Sequence, residues 1–260
     1  MMHIPAQALQ GLQGEALCQL PELLLRPGER WVVLGPNGAG KSTFLRHCAG
    51  HPAGTPRTAT WRWMGQPLPL WHDPDWARQR AVLSQQHEVS GQLSVHDMLC
   101  LASFPWSGRH PRLVTAFERV VADWELGRLL SRRWGQLSGG EQQRLQLARN
   151  ALQLDLAGDD APRLWLLDEP LTALDWPHQQ RTLTACHEAS ARGVLVITSL
   201  HDMNAAWSLA THVLVLAQGR VIHAGEREQG SFAEALAEAF AMRLSWVAHP
   251  RDGRPWLIPG

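Results

Sequence analysis

The run from Gly35 to Thr43, Gly-Pro-Asn-Gly-Ala-Gly-Lys-Ser-Thr, constrains this chain more tightly than any other stretch. It follows the apolar segment Trp31-Val-Val-Leu34 and matches the pattern G-x-x-x-x-G-K-[ST] at Gly35, Gly40, Lys41 and Ser42. The spacing has a chemical reason. Glycines permit a tight turn, so the loop Gly35, Pro36, Asn37, Gly38, Ala39 and Gly40 can aim successive amide N–H groups at phosphate oxygens. A helix beginning near Lys41 adds the positive end of its dipole through Ser42 and Thr43, and the Lys41 ammonium reaches the terminal phosphates. Ser42 offers a hydroxyl to Mg2+. An apolar strand before the loop and Phe44-Leu45 after it supply the context that separates this motif from a chance glycine-rich turn. The pattern predicts a site for a nucleoside triphosphate.

Composition sharpens that reading. Lys41 is the only lysine among 24 basic residues. A planar guanidinium does not replace a compact ammonium in a tight phosphate cradle, so the one lysine in an arginine-biased chain marks this position. Basic and acidic residues balance at 24 each, which gives no global field for nucleic acid or an anionic membrane. Cys18, Cys48, Cys100 and Cys186 lack CxxC spacing, which argues against a disulfide framework or zinc site and fits a reducing compartment. No apolar run approaches the ~18–20 residues of a membrane span. The stretch Met1-Met-His-Ile-Pro-Ala-Gln lacks the layout of a signal peptide. These features predict a cytosolic protein, or one attached to a partner in the membrane.

Strand and helix signals alternate along the chain. Leu17, Leu20, Leu23, Leu24 and Leu25 suggest short strands before the turn Arg26-Pro-Gly-Glu29. Arg30–Leu34 reads as a buried strand and 43–50 as the following helix. Residues 58–63 alternate like a strand and 65–68 turn away from it; 76–86 read as a helix end feeding a strand at 81–83. From His87 to about Trp134 the period is helical, at Val95, Met98, Leu99 and Ala102, then Leu113, Phe117, Val120, Val121 and Trp124. This is a candidate helical subdomain, or simply a cover for the sheet. Residues 138–154 predict a helix with Ser138 as N-cap and Glu141 completing a capping box, followed by a polar loop at 157–162. Buried strands are predicted at 164–167 and 194–197 with a helix over 177–191 between them. The segments 213–216 and 220–223 flank the hairpin signal Ala217-Gln-Gly219. Residues 230–260 begin helically and end in a proline-punctuated, strand-like segment. There is no internal repeat. The alternation argues for an α/β fold with a mostly parallel sheet covered on both faces.

Residues 164–170, Leu-Trp-Leu-Leu-Asp-Glu-Pro, place two carboxylates at the end of a buried strand. Ligands in open α/β sheets gather at the carboxyl ends of strands, so Asp168 and Glu169 should face the phosphates. Asp168 suits the Mg2+ shell, and Glu169 suits a base that polarises the attacking water. An isolated Asp-Glu pair is more often a solvated strand end; the apolar run and the phosphate loop favour the functional reading here. In Leu137-Ser-Gly-Gly-Glu141, Ser138, Gly139 and Gly140 expose backbone amides at a helix N-terminus. A chain with one phosphate cradle needs another only if it serves a nucleotide held by a second copy.

Together these three stretches resemble the ATP-binding-cassette ATPase family, over about residues 14–226. The resemblance implies a P-loop NTPase (RecA-like) core in two parts, 1–86 and 137–228, with an N-terminal antiparallel β region. It also implies a helical subdomain at 87–136 and a C-terminal extension at 229–260. ATP and Mg2+ are the implied cofactors, the metal held by Ser42, Gln85 and Asp168. The nucleotide would be bound by residues 35–43 and by Gln85, Ser138, Gly139, Gly140 and Asp168. Catalytic roles fall to Lys41, Glu169 and His201, the last resembling the switch histidine at the γ-phosphate. Gln85 resembles the glutamine that touches Mg2+ and reports to a membrane partner, with Gln86 a close competitor; Asp175 resembles the loop aspartate at the dimer seam. One departure stands out. Many members stack adenine on an aromatic ahead of the phosphate loop, where this chain has Leu9-Gln-Gly-Leu-Gln13 and no tyrosine anywhere. By analogy with base–aromatic stacking, such a loss weakens binding by ~1–3 kcal/mol.

Within the family, residues 80–85, 137–149 and 200–206 resemble importer subunits for iron chelates, haem and cobalamin. The loop 155–163 resembles haem and cobalamin members; residues 141–149 and 249–255 lean toward haem, 83–86 and the absent aromatic toward cobalamin. The resemblance implies a head-to-tail pair of copies, transmembrane permease subunits and, indirectly, a periplasmic substrate-binding protein. It implies no nucleic acid and a peripheral place on the cytoplasmic face of a bacterial inner membrane. A siderophore importer, an exporter, a soluble nucleic-acid-linked ATPase and a small-molecule kinase are the alternatives. The kinase would have no need of Leu137–Glu141, and the nucleic-acid partner would require a basic footprint that balanced charge does not supply.

Overall fold

A computed structural model describes residues 1–11, 14–51, 60–84, 92–107 and 110–260. Four short strands open the chain: β1 (Met2–Ile4), β2 (Gln7–Gln10), β3 (Ala16–Leu20) and β4 (Leu23–Leu25). β5 (Arg30–Leu34) then runs through the phosphate loop into α1 (Lys41–Cys48). Next come β6 (Arg62–Trp63), β7 (Gln66–Pro67), α2 (Pro74–Gln79) and β8 (Arg80–Leu83). α3 (Val95–Cys100), a 3-10 stretch at Leu101–Trp106 and α4 (Leu113–Asp123) precede the long α5 (Gly139–Ala157). The remainder alternates β9 (Leu164–Asp168), α6 (Trp176–Ala191), β10 (Leu195–Ser199), α7 (Met203–Leu209), β11 (His212–Ala217) and β12 (Arg220–Glu226). It ends with α8 (Gln229–Phe240), β13 (Leu244–Ala248) and β14 (Pro255–Pro259).

The main sheet has eight strands in the order β2-β3-β12-β11-β5-β10-β9-β8. From β8 through β11 every neighbouring pair is parallel, while β12 returns antiparallel on β11 and β2 antiparallel on β3. A second sheet, β4-β1-β6-β7, is antiparallel throughout. The sequence-based α/β reading, with a mostly parallel sheet and an N-terminal antiparallel region, therefore holds.

Alternation explains why the central strands carry apolar residues on both faces. Val32, Leu34, Trp165, Leu167 and Val196 pack on one side with α3, α4, α5 and α6. Trp31, Val33, Leu164, Leu166, Leu195 and Ile197 pack on the other with α1 and the antiparallel sheet. Successive side chains of a strand point to opposite faces, and here both faces are covered. Three helix starts carry the side-chain caps their sequences signal: Ser138 and Glu141 form the expected capping box of α5, and Asp175 and Asp202 cap α6 and α7. The β11–β12 hairpin turns through Gln218 and Gly219, both at positive φ, as the sequence signal required.

Several boundaries differ from the sequence reading. α1 begins at Lys41, as the phosphate-loop motif requires and two residues ahead of the 43–50 span, with Gly40 at φ 100° as its N-cap. α5 continues to Ala157, and the polar loop starts at Gly158, whose φ of 74° ends the helix. Of the strand expected over 58–63, residues 58 and 59 lie outside the described residues and only Arg62–Trp63 pairs. Between 92 and 134 the described helices are short, and Pro105 lies within the 3-10 stretch. The tail is a helix followed by an antiparallel hairpin, closed where His249 N–H donates to Arg254 O at 2.8 Å.

The double-sided core yields a direct test. Trp165→Ala, at a residue only 1% exposed in a central strand, is expected to cost ~3–5 kcal/mol. Val114→Ala, on the exposed face of α4, is expected to stay within ~0.5 kcal/mol. Urea unfolding midpoints measure both.

Candidate active site

Three adjacent strand ends build the site. β5, β10 and β9 lie side by side and end at the same edge, with Ser199 paired to Val33 on one side and Asp168 on the other. The phosphate loop, which leaves β5, is thereby set against the acidic end of β9. Gly35 has φ 146°, and a Cβ there would stand 2.0 Å from the Leu216 carbonyl oxygen on β11. Only glycine lets the loop leave the sheet at this point. No side chain caps α1 at Gly40, so the first-turn N–H groups at Lys41, Ser42 and Thr43 form a positive helix end.

The buried Lys41 ammonium donates to the carbonyl oxygens of Gly35 at 2.9 Å and Pro36 at 3.1 Å. Burial lowers its pKa below that of an ordinary lysine, while the nearby Glu169 and Asp168 carboxylates pull it back up. Asn37, Gly38, Gly40, Lys41, Ser42 and Thr43 line one side of a cleft of about 770 Å³, and Glu169 and His201 line the other. Gly11, Glu15 and Leu17 complete its lining, and among them Leu17 supplies an aliphatic side chain. Ser42 also meets Asp168 across a smaller cavity of about 370 Å³.

Ser199 ties the two acidic residues together. Its hydroxyl donates to Asp168 Oδ1 at 2.6 Å and accepts from the Glu169 backbone N–H at 2.9 Å. Glu169 sits at φ 51°, a left-handed conformation that costs a non-glycine residue ~1–3 kcal/mol unless its surroundings enforce it. Gln143 of α5 adds to that enforcement, its side-chain amide donating to the carbonyl oxygens of Pro170 at 3.1 Å and Glu169 at 3.4 Å. The Glu169 carboxylate is left facing the cleft, where Oε1 lies 2.6 Å from His201 Nε2. Neither Ser199 nor Gln143 was read from sequence. A polar residue closing the apolar strand Leu195–Ser199 was the available signal for the first; the second depends on how α5 packs.

Ser138, Gly139 and Gly140 do not join this cleft. Ser138 and Gly140 open a separate cavity of about 410 Å³ together with Ala173, Asp175 and His178. The Ser138 N–H donates to Glu141 Oε2 at 2.8 Å, and the Glu141 N–H to Ser138 Oγ at 3.3 Å. A Cβ on Gly140 would approach the Ala173 carbonyl oxygen to 2.8 Å, so glycine lets α5 seat against the loop that carries Asp175. Gln85 and Gln86 lie outside the described residues.

Residues 20–172, which include the phosphate loop, Leu137–Glu141 and Asp168-Glu169, match the family model described as ABC transporter. The chain belongs to the ABC transporter family. A hemin import ATP-binding protein of Pseudomonas entomophila is 36% identical over 99% of this chain and 99% of its own length. The protein of the same description from Gloeobacter violaceus is 34% identical over 95% and 90%. A solved structure of an ATP-binding subunit of an ABC transporter superposes with TM-score 0.77 at 22% identity, covering 93% of this chain and 98% of that one. A structure described as an inward-facing ABC transporter of metal-chelate type superposes at TM-score 0.73 and 20% identity, over 99% and 96%. As a member of this family the chain is an ATPase that binds ATP.

Removing the Ser199 hydroxyl leaves a buried carboxylate oxygen and an amide N–H without their shared partner. Ser199→Ala is therefore expected to lose ~1–3 kcal/mol of stability. Its ATP turnover is expected to fall ~10–100-fold through displacement of Asp168 and Glu169. Unfolding midpoints and steady-state ATPase assays on the same preparation separate the two effects.

Proposed function

We propose that this chain is the ATP-hydrolysing subunit of an importer for a metal chelate, with haem as the cargo. The observation that carries the cargo is full-length similarity: both relatives above are named hemin import proteins and align over at least 90% of each chain. The missing adenine aromatic, shared in the sequence reading with cobalamin importers, keeps cobalamin as the second reading.

The chemistry follows from the cleft. The phosphates of ATP lie on the amides of residues 35–43, with Lys41 turning from the loop carbonyls to the terminal phosphate oxygens. Glu169 accepts the proton of the attacking water, and His201, within hydrogen-bond distance of Glu169, lies beside the γ-phosphate and keeps base and phosphate in one frame. Mg2+ fits the donor set, because Ser42 hydroxyl and Asp168 carboxylate are hard oxygen ligands that converge on one cavity. The ion would neutralise charge between the outer phosphates. Asp168, whose Oδ1 accepts from the Ser199 hydroxyl, would hold the ion together with Ser42. Gln85 is proposed as a further ligand.

Two copies complete the site. Because Ser138–Gly140 opens a cavity separate from the Lys41 cleft, a nucleotide on Lys41 would meet these amides only from a second chain arranged head to tail. Asp175 would lie on that seam, beside Trp176, which is 66% exposed. Permease subunits are proposed to dock at a groove of about 980 Å³ lined by Trp71, Arg80, Phe104 and Arg149, where the 87–136 helical subdomain meets the 1–86 part of the core. Trp71 and Val82 are common to this groove and to the cavity holding Ser42 and Asp168, which gives a short physical route from nucleotide to partner. Among the described residues no helix is long and apolar enough to cross a membrane. The chain is proposed to sit on the cytoplasmic face through the permease, with a periplasmic binding protein delivering cargo from the other side. The 137–228 part completes the core and 229–260 extends it.

Glu169→Gln is expected to retain ATP binding while turnover falls, accumulating an ATP-dependent dimer on size exclusion; rapid turnover by that variant would refute the base assignment. For the cargo, a strain lacking the gene is grown with haem as sole iron source or on limiting cobalamin. Rescue by wild type and not by Lys41→Ala on haem supports the haem reading. The same pattern on cobalamin alone replaces it.

A further inference from the structure

His201 is 47% exposed, so packing alone does not hold its ring at Glu169; the chain behind it must. That chain is α7, which starts two residues later. Asp202 is its N-cap, and Asp202 Oδ1 accepts from the backbone N–H groups of Asn204 and Ala205, both at 2.8 Å. The residue next to His201 is thus fastened to the first turn of α7.

The far side of that turn is fastened to the C-terminal hairpin. Asn204 Nδ2 donates to the Leu257 carbonyl oxygen at 3.0 Å, and Asn204 Oδ1 accepts from the Leu257 N–H at 2.8 Å. One side-chain amide therefore pairs with both polar groups of one β14 residue, which fixes direction as well as distance. Leu257 itself is buried at 4% exposure in the large core. Its cross-strand partner Trp246 lies 4.7 Å from the Trp207 ring on α7, and Trp246 Nε1 donates to the Gln229 carbonyl oxygen at the start of α8. Asn204 and Trp207 stand three residues apart, on one helical face. The hairpin grips α7 at two points on that face and is itself anchored to α8.

We infer that the C-terminal hairpin is a positioning element for His201, and that Asn204 is the positioning residue through which it acts. The inference rests on the proposed role of His201 at the γ-phosphate. Strand pairing of β13 with β14 and the aromatic contacts hold the tail together without Asn204. The bidentate Asn204–Leu257 pair adds a constraint on the angle at which α7 leaves the His201 loop.

The test uses the full chain with Mg-ATP, comparing wild type, Asn204→Ala, Asn204→Asp, His201→Ala and the Asn204→Ala/His201→Ala double variant by kcat, KM and melting temperature. Loss of the amide clamp is expected to lower kcat ~10-fold, given that misplacement by about 1 Å costs up to ~100-fold. KM for ATP should stay within about twofold, because the phosphate loop is untouched. Asn204→Asp keeps the acceptor for the Leu257 N–H and loses the donor, so its kcat should fall between those of wild type and Asn204→Ala. In the His201→Ala background Asn204→Ala should lower kcat no further. A lowered melting temperature with wild-type kcat, or the same fractional loss in both backgrounds, would overturn the inference as a purely structural effect. If Asn204→Ala does not fold, Asn204→Asp carries the same comparison, alone and combined with His201→Ala. A His201→Ala enzyme with wild-type kcat would instead remove the reading of His201, and this inference with it.

Discussion

The parallel register of β5, β10 and β9 is the constraint on which the rest of this molecule depends. Ser199 lies level with Asp168 on one neighbour and with Val33 on the other. That ladder sets the phosphate loop, the acidic pair and the His201 loop along one edge, although they are far apart in sequence. A shift of one residue would turn Asp168 into the opposite core and bring Leu167 to the edge, since side chains alternate between faces. The apolar side chains on both faces of β9 and β10 resist that shift. Burial of the strands and placement of the polar groups at their ends are one requirement.

Charge at that edge is held in balance by proximity. Burial of the Lys41 ammonium costs desolvation, and the neighbouring Glu169 and Asp168 carboxylates offset part of that cost. Hydrogen bonds complete the arrangement: loop carbonyls on Lys41, the Ser199 hydroxyl on Asp168, and His201 on Glu169. The left-handed backbone at Glu169 is tolerated because Ser199 holds its N–H and Gln143 caps the carbonyls that follow.

That role of Gln143 links two parts of the chain. α5 begins at the Ser138 cap, packs Gly140 against the Ala173 carbonyl, and one turn later holds the 169–170 corner. The surface proposed to meet a second copy and the left-handed corner at Glu169 therefore share one helix. Movement of its N-terminus reaches Glu169 through a few covalent and hydrogen bonds rather than through the whole core.

Much of this was legible in the sequence. The phosphate loop declared itself because every residue type in it answers a local demand: positive φ at Gly35 and Gly40, a helix start at Lys41, an ammonium rather than a guanidinium. The acidic pair, the Ser138 capping box and the β11–β12 turn were readable for the same reason, as patterns within a few residues. By itself, then, the sequence determined the fold class, the phosphate loop and Lys41, Asp168 and Glu169 as candidate partners of its ligand, while His201 entered only through the family resemblance. Tertiary structure alone decided that Ser199 would bridge Asp168 and Glu169, and that Gln143 would brace the Glu169 corner. It also decided that Asn204 would meet Leu257 at the end of the chain, and that Ser138 and Gly140 would face a cavity away from Lys41. Each of those outcomes depends on strand order and helix packing, which bring distant residues together and leave no periodic trace in the segments they join.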